Sequence, residues 1–433
     1  MNFDESLKYL YGLGNEVSAM KLGLENIGKL LTALGNPEKN FLKVQVAGTN
    51  GKGSTCAFLD SICVLAGIKT GLYTSPHLIS ITERIKINGQ DLSEKDFARH
   101  ATKIKEISES LLENGDLETI PTFFEQVTAI AISAFDEAKI VLAILETGLG
   151  GRFDATTATN AEIVAITPID FDHQNILGNT LTEIAAEKSA IIRKDTRVVL
   201  GNQSEEALEV ILIRCDEVGI KPINDCKIEL DAIDSTNGKA IVTFLTKNEI
   251  YHDVHLSLRG RHQIENARLA VLLAEVLKND FKFTISKFEI VEGLETAEHK
   301  GRLEFYQNIL FDGAHNVAGA KALKDYLDEF IKQPITLVFG AMRDKDLWEI
   351  AAILFPKAET LILTKPNNER SMETSEMLKI VPTTFNQKNV KLAATVADGI
   401  ITAQKITKET ELILITGSLY LVGEAQEILK KAF

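Results

Sequence analysis

Val44-Gln-Val-Ala-Gly48-Thr-Asn-Gly51-Lys52-Gly53-Ser54 is an apolar run that passes through two glycines into a lysine, a third glycine and a hydroxyl, and an amphipathic stretch follows it. That order reads as a strand, a tight turn and a helix. Glycines let a backbone curl until successive N–H groups face one anion, and the helix start adds the positive end of its dipole. Lys52 can then reach terminal phosphate oxygens, and a hydroxyl near the helix start can bind Mg2+. The spacing departs from the common phosphate-loop pattern. Its first glycine would fall at Val46, and its hydroxyl comes one residue late, at Ser54.

Outward from the loop, short apolar runs at residues 41–48, 140–148, 162–168 and 196–201 read as strands buried on both faces. Segments of helical spacing at 54–66, 123–137 and 181–192 alternate with them. This rhythm predicts an α/β domain with a parallel-rich sheet. Residues 228–258 alternate more loosely around Lys247-Asn248 and predict an antiparallel meander appended to that sheet. A helix over 263–277 follows. The polar run Thr296-Ala-Glu-His-Lys-Gly-Arg302 lacks periodicity and marks a boundary, giving domains 1–297 and 298–433. Beyond it, strands at 309–312, 335–340, 360–364 and 412–417, with helices at 318–331 and 347–354, predict a smaller Rossmann-like α/β domain.

Composition narrows the function. Among 433 residues the formal net charge is -14, whereas a general nucleic-acid binder needs a basic face. No run approaches the ~18 apolar residues of a membrane span, and the first residues lack a signal-peptide core, so a cytoplasmic protein is expected. Cys56, Cys63, Cys215 and Cys226 form no C-x-x-C pair and read as reduced thiols.

Several further segments carry a family resemblance. Lys21-Leu-Gly-Leu-Glu25, Ser75-Pro-His-Leu78, Glu146-Thr-Gly-Leu-Gly-Gly-Arg-Phe-Asp154, His262-Gln-Ile-Glu-Asn266, Asp312-Gly-Ala-His-Asn316, Phe339-Gly-Ala-Met-Arg-Asp-Lys-Asp346 and Thr416-Gly-Ser-Leu-Tyr420 run in order along the chain. Together with the loop they resemble the folylpolyglutamate synthase and dihydrofolate synthase family of the Mur ligase superfamily. Two local departures are visible. Glu187-Lys-Ser-Ala190 stands where the family often has Glu-Lys-Ala-Gly, and Lys300 stands where it often has proline before Gly-Arg.

The resemblance implies a P-loop-type ATPase domain, a Rossmann-like second domain and a site in the cleft between them. It also implies a reaction: ATP phosphorylates a pteroate or folate carboxylate, and the amine of L-glutamate displaces the phosphate. The acid would be dihydropteroate, a (tetrahydro)folate polyglutamate, or both, and a bifunctional enzyme is the expectation. A synthase for folylpolyglutamates alone, or a Mur-type ligase on another carboxylate, is the alternative. A cell-wall ligase would carry a further domain before the loop, and the loop begins near residue 48. A nucleotide-binding regulator would need no cluster at Asp312, His315 and Ser418.

By resemblance, ATP is held by Gly48, Thr49, Asn50, Gly51, Lys52, Gly53, Ser54, Asn266, Arg302 and Asp312. Ser54, Ser75, Glu146 and His173 are the candidate ligands for two Mg2+ ions, with a monovalent cation as a further candidate. Oxygen donors suit Mg2+ well and imidazole suits it poorly. Lys52, His173, Lys188 and His315 are the candidate catalytic residues, Lys188 as a carbamate. Thr122, Phe124, Asp154, His315 and Ser418 are the candidate substrate contacts, Phe124 offering an aromatic face to a pterin. The partners are small molecules, with neither nucleic acid nor membrane, and a monomer is expected.

Overall fold

The computed structural model describes residues 1–14 and 23–431. Lys21 and Leu22 of the early motif lie outside the described residues. The four expected strands of the first lobe are β1 (Leu42–Ala47), β5 (Leu142–Glu146), β6 (Ile163–Ile166) and β7 (Arg197–Leu200). They lie side by side, all parallel, in the order β5-β1-β6-β7. β2 (Thr70–Tyr73), β3 (Ile85–Ile87) and β4 (Gln90–Asp91) extend the β5 edge to seven strands. β2 is parallel to β5, whereas β3 and β4 turn back antiparallel. These three strands are too short, and β2 too interrupted by Gly71, to leave a periodic signal.

β1 and β5 are buried almost throughout because helices cover both faces. On one face Lys52–Leu65 and His262–Asn279 pack with Val44, Val46, Leu142 and Ile144. On the other, helices Phe3–Gly12, Glu25–Ala33, Glu94–Glu113 and Phe123–Glu137 pack with Ala143 and Leu145. Helix Leu181–Ser189 stops short of the expected residue 192, and Ile191 and Ile192 enter the core beside β6 and β7 instead.

The meander differs from expectation. β8 (Cys226–Ile233), β9 (Ala240–Thr246) and β10 (Ile250–His255) form a separate three-stranded sheet rather than an extension of the large one. Its apolar face, Ala240, Val242 and Phe244, belongs to the core under helix His262–Asn279, so burial there outweighs edge pairing with β7. Only an isolated bridge, Val199 to Ile223, reaches that edge among the described residues.

The second lobe is a six-stranded sheet of β11 (Glu304–Tyr306), β12 (Ile309–Phe311), β13 (Ile335–Phe339), β14 (Thr360–Leu363), β15 (Val390–Leu392) and β16 (Leu412–Thr416). Their order is β11-β12-β16-β13-β14-β15, parallel except for the β11–β12 hairpin. Helices Val317–Phe330 and Leu347–Leu354 cover one face, and Val396–Ile406 and Leu419–Lys431 the other.

One helix crossing in the first lobe is close enough to test. A Cβ on Gly293 would lie 2.5 Å from Ile62 Cγ1 and 2.6 Å from Ile62 Cα. Gly293→Ala should therefore destabilise the fold by about 1–3 kcal/mol through overpacking, despite the ~1 kcal/mol that alanine gains in a helix. Denaturant titration checks this, and an unchanged or higher midpoint would contradict so close an approach.

Candidate active site

Chain topology places the glycine-rich loop where ligands bind in α/β sheets, at the carboxyl end of a strand flanked by neighbours on both sides. β1 ends at Ala47, with Glu146 of β5 opposite Val46 and Ile166 of β6 opposite Ala47. Gly48 has φ 147° and Gly51 φ 90°. A Cβ at Gly48 would lie 1.8 Å from Thr167 Oγ1, and one at Gly51 would lie 2.2 Å from Asn266 Oδ1. Conformation and space thus demand glycine at both positions.

The curl is smaller than residues 48–54 suggest. The amides of Thr49 and Asn50 donate to the carbonyl of Pro168, at 3.1 and 3.4 Å. Helix Lys52–Leu65 then begins with no side-chain cap. The amides of Lys52, Gly53 and Ser54 are therefore the helix-start donors available to an anion. All three residues line a cavity of about 470 Å³ between the lobes.

Two lysines hold the outer side of the loop. Lys52 Nζ donates to the carbonyls of Gly48 and Thr49, at 3.2 and 3.1 Å, and Lys188 Nζ donates to that of Gly48 at 2.9 Å. Burial, helped by the charge of Lys52 and opposed by Asp172 and Asp154, brings Lys188 down to about 7. Near neutral pH a large fraction is thus free amine, the form that adds CO2. Glu146 is buried at the end of β5, and its Oε2 accepts from the Ser75 amide at 3.2 Å. Burial raises its pKa, while Lys52, the Ser75 amide and Arg302 pull it back.

Glu146, Ser54 and Ser75 offer oxygen donors beside the helix start, and a buried carboxylate is stabilised by a cation, so these residues fit Mg2+. Among the described residues no group of three His, Cys, Asp or Glu side chains is arranged to hold a metal. The protein would supply few ligands, as suits an ion that keeps waters and phosphate oxygens. His173, which lines the same cavity, is engaged by another partner. Its Nε2 lies 3.2 Å from Lys345 Nζ, so a metal there would have to displace Lys345.

That lysine belongs to a cluster the sequence did not single out. Asp172 accepts from Lys345 Nζ at 2.6 Å and from Asn316 Nδ2 at 2.9 Å, with His315 Nε2 at 3.8 Å. Asn316 Nδ2 also donates to Asn50 Oδ1 at 3.1 Å. Three residues of the second lobe thus meet the first lobe around one carboxylate. Burial alone would raise Asp172, but Lys345, His173, His315 and Asn316 outweigh it and hold the carboxyl well below its usual range. Asn50, His315, Asn316 and Lys345 sit inside motifs quoted above and Asp172 sits in none, and nothing in their spacing names the partner.

Burial and Lys345 take His315 down to about 4, so it is neutral near pH 7. Its Nδ1 lies 2.8 Å from the Gly313 carbonyl and donates to it in that neutral state, leaving Nε2 as acceptor towards the cleft. Asp312 accepts from the amides of Leu303 and Ala314, at 3.0 and 2.9 Å, and Arg302 packs against Gly313.

Every candidate residue except Gly48 lines the one cavity, and Gly48 gives its carbonyl to both lysines. Three of them nevertheless use their side-chain oxygens on local backbone. Thr122 caps helix Phe123–Glu137 in a reciprocal box with Glu125. Asp154 accepts from the amides of Gly148, Leu149 and Thr156, at 2.8, 3.0 and 3.0 Å. Ser418 Oγ accepts from the Leu421 amide at 3.1 Å. Phe124 packs its ring on Gly148, where a Cβ would lie 2.5 Å from Cζ, and with Phe153 it gives the cavity an aromatic wall. His77 turns away to accept from Arg84 Nε at 2.8 Å.

Comparison with known proteins agrees with this geometry. Residues 46–274 match the Mur ligase middle domain, and residues 301–419 match the Mur ligase glutamate ligase domain. The chain is 34% identical over 420 residues to the dihydrofolate synthase/folylpolyglutamate synthase of Bacillus subtilis, covering 95% of this chain and 96% of that protein. It is also 34% identical to a probable bifunctional folylpolyglutamate synthase/dihydropteroate synthase of Haloferax volcanii, of which it spans half the length and which covers 98% of this chain. Among solved structures it is similar to Mycobacterium tuberculosis folylpolyglutamate synthase complexed with ADP, with a TM-score of 0.91 at 29% identity over 98% of each chain. It is likewise similar to E. coli FolC in complex with DHPP and ADP, with a TM-score of 0.87 at 26% identity over 100% of this chain and 98% of that one.

The lowered pKa of Lys188 has a measurable consequence. Between pH 7 and the ordinary lysine range the unfolded chain binds the proton more tightly, so this group makes the native state more stable as pH rises. Lys188→Met removes that gain. In CO2-free buffer the stability of wild type relative to Lys188→Met should rise by about 1–2 kcal/mol from pH 7 to pH 9. Denaturant midpoints at the two pH values test it, and a flat or falling difference would contradict the assignment.

Proposed function

This chain belongs to the Mur ligase family, among the folylpolyglutamate and dihydrofolate synthases, and on that premise we propose that it joins L-glutamate to dihydropteroate and to (tetrahydro)folate polyglutamates, using ATP and passing through an acyl phosphate. The observation that carries the reading is one cavity with Lys52, Glu146 and the open helix start on one wall and His315, Asn316 and Lys345 on the other. The similarity to the B. subtilis dihydrofolate synthase/folylpolyglutamate synthase supports the choice of acid and amine, and the similarity to E. coli FolC in complex with DHPP and ADP supports the acid.

In the first step a carboxylate oxygen bonds to the γ-phosphorus of ATP, and the bond to the β–γ bridging oxygen breaks to release ADP. Both reactants are anions, so the site must neutralise and align them. Lys52 does this when its ammonium leaves the carbonyls of Gly48 and Thr49 for a phosphate oxygen. The amides of Lys52, Gly53 and Ser54 fix the phosphates, while Lys188 holds the Gly48 carbonyl from behind. Asn266, Arg302 and Asp312 take the rest of the nucleotide. Ser54, Ser75 and Glu146 would hold Mg2+, which would supply further charge neutralisation at the phosphates. His173 would hold a second ion only with Lys345 moved off its Nε2.

In the second step the glutamate amine attacks the acyl carbon, and phosphate leaves with its oxygen. The amine must lose a proton to bond, and the neutral His315 Nε2 is a lone-pair acceptor at the cleft. Phe124 and Phe153 flank the flat ring of the acid, beside the caps made by Thr122 and Asp154. Ser418 lies by the glutamate. We take the second domain to begin at residue 298. The reading includes a monomer acting in the cytoplasm, and no helix among the described residues is long and apolar enough to cross a membrane.

An ADP-release assay tests this. Release should require both glutamate and a pteroate-type acid, and running dihydropteroate against tetrahydrofolate reports which acid is used. Lys52→Ala and Glu146→Ala should each lower turnover by about 10²–10³-fold or more with the circular dichroism unchanged. Near-normal turnover in either variant, or ADP release indifferent to glutamate, would refute the assignment.

A further inference from the structure

Helix Val317–Phe330 carries the second lobe's side of the cleft. Asn316 caps its start, accepting from the Gly319 amide at 2.8 Å while donating to Asn50 and Asp172 of the first lobe. Ala318, Gly319, Ala322 and Leu323 of its first turns line the cavity. A helix of this length runs for about 20 Å. Its far end meets the first lobe again, well away from the chemistry.

There the hairpin turn between β8 and β9 receives it. Gly238, at φ 68°, leaves room for Tyr326 and Phe330, since a Cβ would lie 2.4 Å from Tyr326 Cε2 and 3.0 Å from Phe330 Cδ2. Tyr326 OH donates to the Asn237 carbonyl at 2.9 Å. The turn is braced from within, because the Asp234 carboxylate accepts from the Thr236 amide at 2.8 Å and from Asn237 Nδ2 at 2.6 Å. The Gly260 amide donates to the Gly238 carbonyl at 3.1 Å, which ties the turn to the start of helix His262–Asn279. Arg261, the residue capping that helix, grips Glu329 with Nε and Nη2 at 2.9 and 2.7 Å.

The two helices joined by this ion pair both touch the phosphate loop. Asn266, five residues after Arg261, packs on Gly51, and Asn316, at the other end of the Glu329 helix, bonds to Asn50. One attachment leaves a helix free to swing, whereas two spaced attachments fix its direction. We propose that the turn at residues 234–239 and the Arg261–Glu329 pair form a seat that sets the orientation of helix Val317–Phe330. Gly238, Arg261, Tyr326 and Glu329 are then positioning residues for the transfer to glutamate. They act through Asn316 and His315 and touch no substrate.

This inference rests on the ligase reading, and the test separates the two. Arg261→Glu, Glu329→Arg, the double exchange Arg261→Glu/Glu329→Arg, and Gly238→Val are compared with wild type in the ADP-release assay and in small-angle scattering. The Arg261 and Glu329 side chains are 55% and 36% exposed, so each single charge reversal should cost only about threefold in kcat at saturating substrates. The KM for ATP should stay within about twofold, because no residue of the phosphate loop is substituted and Lys52 and Lys188 still brace the Gly48 carbonyl. The double exchange restores the attraction and should recover most of the loss. Gly238→Val should lower kcat further and broaden the scattering profile.

A merely structural role would lower the unfolding temperature without a kcat loss that the exchange rescues. Wild-type kcat and scattering in Arg261→Glu and Gly238→Val, or a double exchange no better than its parents, would overturn the seat. If wild type released no ADP, the ligase reading would fall and the scattering profiles alone would decide the seat.

Discussion

The carbonyl of Gly48 accepts from two lysines, and much of the site follows from that shared acceptor. A loop that turns amides inward to meet an anion must turn carbonyls outward, and buried carbonyls need donors. Lys52 comes from the helix that the loop itself starts, and Lys188 comes from helix Leu181–Ser189, far along the chain. The loop is thus braced from both sides before any phosphate arrives. Bracing by lysine differs from bracing by an amide because the donor is mobile and charged. Lys52 can change partner from carbonyl to phosphate, whereas Lys188, buried and held near neutrality, stays as a strut.

The same division between fixed and movable parts runs across the cleft. Asp172 holds Lys345 and Asn316 of the second lobe at the lip of the first. It is a charged contact with low exposure, of the kind whose worth depends on every partner being present. A substrate carboxylate entering beside Lys345 would compete with Asp172 for it. The lobes are therefore joined at the cleft by exchangeable contacts and at the far end of helix Val317–Phe330 by packing on Gly238.

The sequence revealed the architecture where its physical cause was local. Strands β1, β5, β6 and β7 are buried almost throughout, so each shows as a mostly apolar run, broken in β1 by Lys43 and Gln45 and closed soon after by glycine or proline. β2, β3, β4, β11 and β15 are two to four residues long, and their pairing partners are set by the sheet rather than by their own residues. The meander was visible as strands but not in its placement, because helix His262–Asn279 decides which face it covers. At the site, the loop and Glu146 were legible because a strand end dictates where their side chains go. Thr122, Asp154 and Ser418 were read as substrate contacts, yet each oxygen caps backbone first. Asp172, Asn316 and Lys345 were not legible, since their meeting is purely tertiary.

The central claim is chemical: the phosphate loop hands a phosphoryl group to an acid before glutamate enters. Turnover of a pteroate-type acid labelled with 18O in its carboxylate, with ATP and glutamate, tests it most directly. Attack by the carboxylate on phosphorus carries one of its oxygens into the released phosphate. The account predicts one 18O atom in each phosphate formed. Unlabelled phosphate alongside normal amide product would contradict it.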